Sequence, residues 1–122
     1  MKLALTSVAN SEDLTRERIV LRAGEDLDLN YFAVFCCHIG METVKTGDFV
    51  RGYWFTPKQI KTDDLVVLYT KSGSLREKVT IGGRTSHFFY WGRSTPLWTP
   101  EHRAVVVHTA AWQYAEVQPT ED

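Results

Sequence analysis

Short runs of β-branched and aromatic residues recur along this chain, each closed by turn residues, and no apolar helical repeat lasts longer than a turn or two. That pattern constrains the fold more than any other feature, because runs of this length and period read as strands that must find a sheet. The runs are RIVLRA (Arg18 to Ala23), YFAVFCCHI (Tyr31 to Ile39), FVRGYWF (Phe49 to Phe55), LVVLYTK (Leu65 to Lys71), SHFFYWG (Ser86 to Gly92), AVVVHT (Ala104 to Thr109) and WQYAEV (Trp112 to Val117). KLALTSV near the start adds another. Between them stand turn formers: Gly24-Glu25-Asp26, Gly40, Thr46-Gly47-Asp48, Thr56-Pro57-Lys58, Thr62-Asp63-Asp64, Ser72-Gly73-Ser74 and Gly82-Gly83. Asn10-Ser11-Glu12-Asp13 is expected to cap one short helical turn. The expectation is an all-β chain, an antiparallel sandwich or small barrel.

At 122 residues the chain makes one domain, residues 1–122, with no internal linker or repeat. A chain of this size buries roughly two thirds of its unfolded surface, so one core holds it without staples. The net charge of −1 gives no global attraction to nucleic acid or anionic membrane. Locally, residues 71 to 103 lean basic (Lys71, Arg76, Lys78, Arg84, Arg93, Arg103), and the first thirty lean acidic. The opening MKLALTSVAN is too short in apolar residues for a secretion signal, which needs roughly 7–15. No run approaches the roughly 18 apolar residues of a membrane span, and the chain is read as soluble and cytoplasmic. QPTED at the end reads as a frayed tail.

Cys36 and Cys37 are adjacent, so on a strand their thiols point to opposite faces. They neither staple two elements nor supply the spacing of a zinc site, even with His38 beside them. No metal and no cofactor are expected. His38, His87, His102 and His108, with Ser86, Ser94, Asp63 and Asp64, are the candidates for catalysis. None stands in a Gly-x-Ser-x-Gly turn, a His-Glu-x-x-His helix or a phosphate loop. Ser86 and His87 face opposite sides of their strand, and His108 is expected at the solvent-facing end of another. The aromatic residues carry more information. Tyr53 and Phe55 oppose Trp54, and Phe88 and Tyr90 oppose Phe89 and Trp91, so both faces of these strands are aromatic. Such a second face is either covered by a loop such as residues 92 to 103 or is a contact surface.

Three segments, taken in order, resemble the lamin tail domain family. ERIVLRAGEDLDLNYFAV carries an acidic turn, an Asp-Leu pair (Asp28, Leu29) and the aromatic Phe32 opening the next strand. YWFTPKQIKTDDLVVLYTKSGS has the aromatic corner, polar turn and apolar strand. GRSTPLWTPEHRAVVVHT has the loop with a conspicuous Trp, here Trp98, before the strand Ala104 to Thr109. The chain departs from the family pattern at Tyr31, at Glu101-His102-Arg103 and at Ala110-Ala111. The resemblance spans about residues 15 to 118 and implies an immunoglobulin-like antiparallel β-sandwich of about 7–9 strands. It also implies a non-catalytic interaction module with no catalytic residues. The expected partner is a protein or a second copy of the chain, bound through Tyr53, Trp54, Tyr90, Trp91, Arg93, Trp98 and Arg103. Carbohydrate or single-stranded nucleic acid stacking on the rings is the alternative, with nucleic acid disfavoured by the overall charge, and a His-dependent hydrolase comes third.

Overall fold

The computed structural model describes residues 2–38, 49–80 and 82–118. The expected turns at Gly40 and Thr46 to Asp48, the end of the second run at Ile39, and the tail from Pro119 lie outside them. Ten strands and one 3-10 turn make up the described fold: β1 (Leu3–Ala9), β2 (Arg18–Ala23), β3 (Leu27–Asp28), the turn Leu29–Tyr31, β4 (Phe32–His38), β5 (Phe49–Trp54), β6 (Gln59–Ile60), β7 (Leu65–Tyr69), β8 (Arg76–Val79), β9 (Thr85–Tyr90) and β10 (His102–His108). The chain is all-β, as the runs require. Asn10 and Glu12 take positive φ and stand outside any helix, so the one short turn expected here starts at Asp13 and is not continued. The chain turns tightly there, with Asp13 O accepting the Arg16 and Glu17 N–H groups. WQYAEV forms no strand and is exposed throughout.

Two sheets face each other across the core. One has five strands in the order β1-β2-β7-β9-β8, the other three in the order β10-β4-β5, and β3 and β6 form a short two-stranded bridge. All pairings are antiparallel except β7 with β9, so the larger sheet is mixed. The chain leaves β7, crosses the end of β9 to lay down β8 at the edge, and returns through a turn at Gly82-Gly83 to fill the gap. Both glycines have φ near +90°, a conformation that costs other residues strain. Ile19, Leu21, Val66, Leu68 and Phe89 from the larger sheet meet Phe32, Val34, Cys36 and Phe55 from the smaller. Their alternation along each strand is the period-2 pattern of the sequence, turned inward.

The loop after β9 closes one end of this core. Trp91, Gly92 and Arg93 donate their N–H groups to Tyr69, Lys71 and Thr70, and the chain then turns in to insert Leu97 and Trp98 between the sheets. Glu17, fully buried, fixes the insertion. Its Oε1 accepts from Trp98 N (3.0 Å) and Glu12 N (2.8 Å), its Oε2 from Leu97 N (2.9 Å) and the Thr70 hydroxyl (2.5 Å). One carboxyl group thus satisfies two buried backbone donors and a part-buried third, and ties the N-terminal turn, β7 and the loop together.

Candidate functional site

The residues expected on one binding surface are divided by the fold among three environments. Tyr53, Trp91 and Trp98 form an aromatic cluster against the core. Tyr53 lies 5.6 Å from Trp91, and Trp91 6.2 Å from Trp98. Trp98 is only 2% exposed, so it is a packing residue and not part of a contact surface. The loop that carries it plugs the end of the core, and its apolar side chains turn inward instead of covering a sheet. Arg93 is half-buried beside this cluster, and Arg103 is exposed on β10, opposite Cys37.

Tyr90 belongs to a row on the outer face of the five-stranded sheet that the sequence does not announce. Parallel pairing of β7 with β9 sets Tyr69 beside Tyr90 with rings stacked at 5.5 Å, and Phe88 stacks diagonally on Tyr69 at 6.3 Å. Cations close the row: Arg76 lies 4.5 Å over Phe88 and donates to the Tyr90 hydroxyl, while Lys71 lies 5.0 Å over Tyr69. The crossover loop seals the other side of Tyr90. A Cβ on Gly73 would run into the Tyr90 ring, so only glycine lets the backbone lie there. These ring faces are taken by other rings, cations or backbone, which leaves edges and charges toward solvent and little for a base or sugar to stack on.

Trp54 occupies the third environment. It sits on the outer face of β5, opposite Ala33, and its indole N–H donates to Asn30 O at 2.6 Å. Trp112 packs edge-to-face on it at 4.9 Å. Asn30, Trp54, Phe55, Trp112, Gln113 and Tyr114 line a shallow cleft of about 320 Å³. Trp54 is 43% exposed, Trp112 52% and Tyr114 78%. Exposed aromatics grouped in this way make this cleft the candidate contact surface. Of the residues singled out in the sequence, Trp54 alone lies here. Trp112 and Tyr114 read as an ordinary strand.

Among the candidates for catalysis, the structure brings Asp64 and His87 together. Both are buried, and Asp64 Oδ2 lies 2.9 Å from His87 Nε2 while its two oxygens also accept from Lys61 N and Thr85 N. Burial works against ionisation of Asp64, but these donors outweigh it and hold the carboxyl below its usual range. His87 Nδ1 faces Glu77 at 3.6 Å, and Glu77 pairs with Lys58. The adjoining cleft of about 270 Å³, lined by Lys58, Leu75, Arg76, Glu77, His87, Phe88 and Phe89, presents no Ser, Thr or Cys among the described residues. Ser86 points to the other face of the sheet, as its strand position requires. The chain Asp64–His87–Glu77–Lys58 therefore reads as a polar clamp that fastens edge strand β8 and the β6 corner onto the sheet.

His108 is exposed and stacks on Phe32 at 4.7 Å. Cys36 and Cys37 are unpaired and buried on opposite faces of β4. Burial, then the neighbouring thiol, pushes Cys36 up to about 11, and burial raises Cys37. Since the thiolate is the reactive form, neither cysteine is expected to react with an aromatic disulfide reagent in the folded protein at mildly alkaline pH. Both should titrate promptly once urea unfolds the chain. Rapid native modification of either would overturn this account of their burial.

No protein-family model matches the chain, and no curated protein matches it. Among the described residues no helix is long and apolar enough to cross a membrane.

Proposed function

We propose that this chain is a non-catalytic interaction module of the lamin-tail, immunoglobulin-like kind, and that it associates with a second copy of itself through the Trp54–Trp112–Tyr114 surface. The observation that carries the reading is this group of exposed aromatics, two of them on a segment that joins no sheet among the described residues. Residues 110–118 have the composition of a strand, lie exposed, and form no ladder among the described residues. Beside them, among the described residues, β5 pairs with β4 alone. An aromatic segment of strand composition next to a strand that has one ladder among the described residues is an arrangement that strand addition between copies can use. The family reading draws support from the residues that suggested it. Asp28 caps the 3-10 turn through Asn30 N, Leu29 and Phe32 are buried, and Trp98 inserts just before β10.

Light scattering on the purified chain at high micromolar concentration tests this. A dimer is expected, and Trp112→Ala with Tyr114→Ala should return it to monomer by weakening association at least about 30-fold, as loss of a central aromatic anchor does. A wild-type monomer at that concentration would remove the self-association. Quenching of tryptophan fluorescence by an oligosaccharide in such a monomer would move the site to carbohydrate binding.

A further inference from the structure

We propose that His38 and His102 form a two-histidine binding site for a divalent transition-metal ion, open to water, at the end of the three-stranded sheet. The two residues are 64 positions apart in sequence, at the last position of β4 and the first of β10, and the antiparallel register makes them direct cross-strand partners. Cross-strand partners project from the same face of a sheet, so their rings share one side. The ring centres stand 5.2 Å apart and are tilted by 42°. Two imidazoles bound to one tetrahedral zinc ion at about 2.0–2.1 Å each have their ring centres about 5 Å apart. The backbone therefore already holds the pair at the separation that chelation needs.

A second observation concerns His102 alone. Its Nδ1 lies 2.9 Å from the Thr99 hydroxyl, and that oxygen is itself held by the Glu101 N–H. In the tautomer whose Nδ1–H donates to this oxygen, Nε2 carries the free lone pair, and an ion bound at Nε2 selects that tautomer. A hydrogen bond to the far nitrogen that fixes the tautomer and aims the near one is the support that metal-binding histidines usually have. The Thr99-Pro100-Glu101-His102 corner supplies it locally, and His102 N–H bonds back to Thr99 O, which keeps the corner closed. His38 is exposed and His102 half-exposed, so an ion and its remaining water ligands have access. Imidazole pairs suit zinc, copper and nickel in preference to magnesium or calcium. The cysteines next in sequence do not contribute: Cys37 points to the opposite face of the sheet, and Cys36 is buried in the core.

The test is calorimetric titration of zinc chloride, and separately nickel chloride, into untagged protein. One ion per chain should bind with a dissociation constant in the micromolar range. His38→Ala and His102→Ala should each abolish binding at these concentrations, while His108→Gln, on the same strand as His102 but at its far end, should leave it intact. Thr99→Val keeps both ligands and removes only the orienting bond, so affinity should fall about tenfold or more. Circular dichroism on each variant separates loss of binding from loss of fold. Absence of binding up to millimolar metal overturns the proposal, as does binding that survives in both alanine variants. Retention in Thr99→Val with unchanged affinity would overturn the role given to the hydroxyl.

Discussion

Replacing Glu17 by Ala is expected to cost about 3–5 kcal/mol, because several neutral donors, each worth about 1–3 kcal/mol when buried unpaired, lose their acceptor together. Four donors lose their acceptor at once. Two of them, the N–H groups of Leu97 and Trp98, are buried backbone groups that cannot turn toward water without moving the chain. A buried donor left unpaired costs about 1–3 kcal/mol, so the loop has reason to pull out of the core, taking Trp98 with it. Thermal unfolding should show a midpoint lower by about 10–20 °C for a domain of this size, and native tryptophan emission should shift to longer wavelength. Glu17→Gln keeps one acceptor but points an amide nitrogen at donors, and should fall between wild type and Ala. A Glu17→Ala protein with near wild-type stability would mean that the loop is held by apolar packing alone.

Sequence patterns revealed this fold wherever a residue's role depends on its neighbours along the chain. The alternation of Tyr53, Trp54 and Phe55, and of Phe88 through Trp91, correctly placed aromatics on both faces of β5 and β9, because strand geometry alone decides that. Strand β8 escaped notice for a physical reason. Arg76, Glu77, Lys78 and Val79 are all exposed, and an edge strand that buries nothing carries no apolar period, only the charges that discourage further pairing. WQYAEV was misleading in the opposite sense, since it has the propensity of a strand without a ladder partner among the described residues.

The candidate site was legible only in part for a related reason. Trp98 looks like a surface aromatic until Glu17, about eighty residues earlier, draws its backbone into the core. The Tyr69–Tyr90 stack exists because β8 is laid down outside β9, which makes β7 and β9 parallel neighbours. His38 meets His102 through the β4–β10 register. Each of these depends on which strands pair, and no local window of sequence carries that information.

Asp64 should make stability fall in acid with a recognisable sign. Its carboxyl is held below the usual value, so the folded state binds a proton less readily than the unfolded chain, whose aspartates titrate near 3.9. The contribution of Asp64 is therefore complete above about pH 4 and is lost as pH falls through its lower folded value. Urea midpoints should be flat from neutral pH to about pH 5 and drop steeply below about pH 4. Exposed Asp26 and Glu77, held low by Thr62 and Lys58 respectively, titrate in the same window, so the variant is needed to separate them. Asp64→Asn turns an amide toward the Lys61 or Thr85 N–H, or toward His87, and should cost about 2–4 kcal/mol at neutral pH. Having no proton to take up there, it should show the shallower acid slope, and the two curves should converge as pH falls. Parallel curves would place the acid sensitivity elsewhere and leave the Asp64–His87 bond a matter of packing. Convergence is expected because the Lys61, Thr85 and His87 donors all meet on one ionised carboxylate.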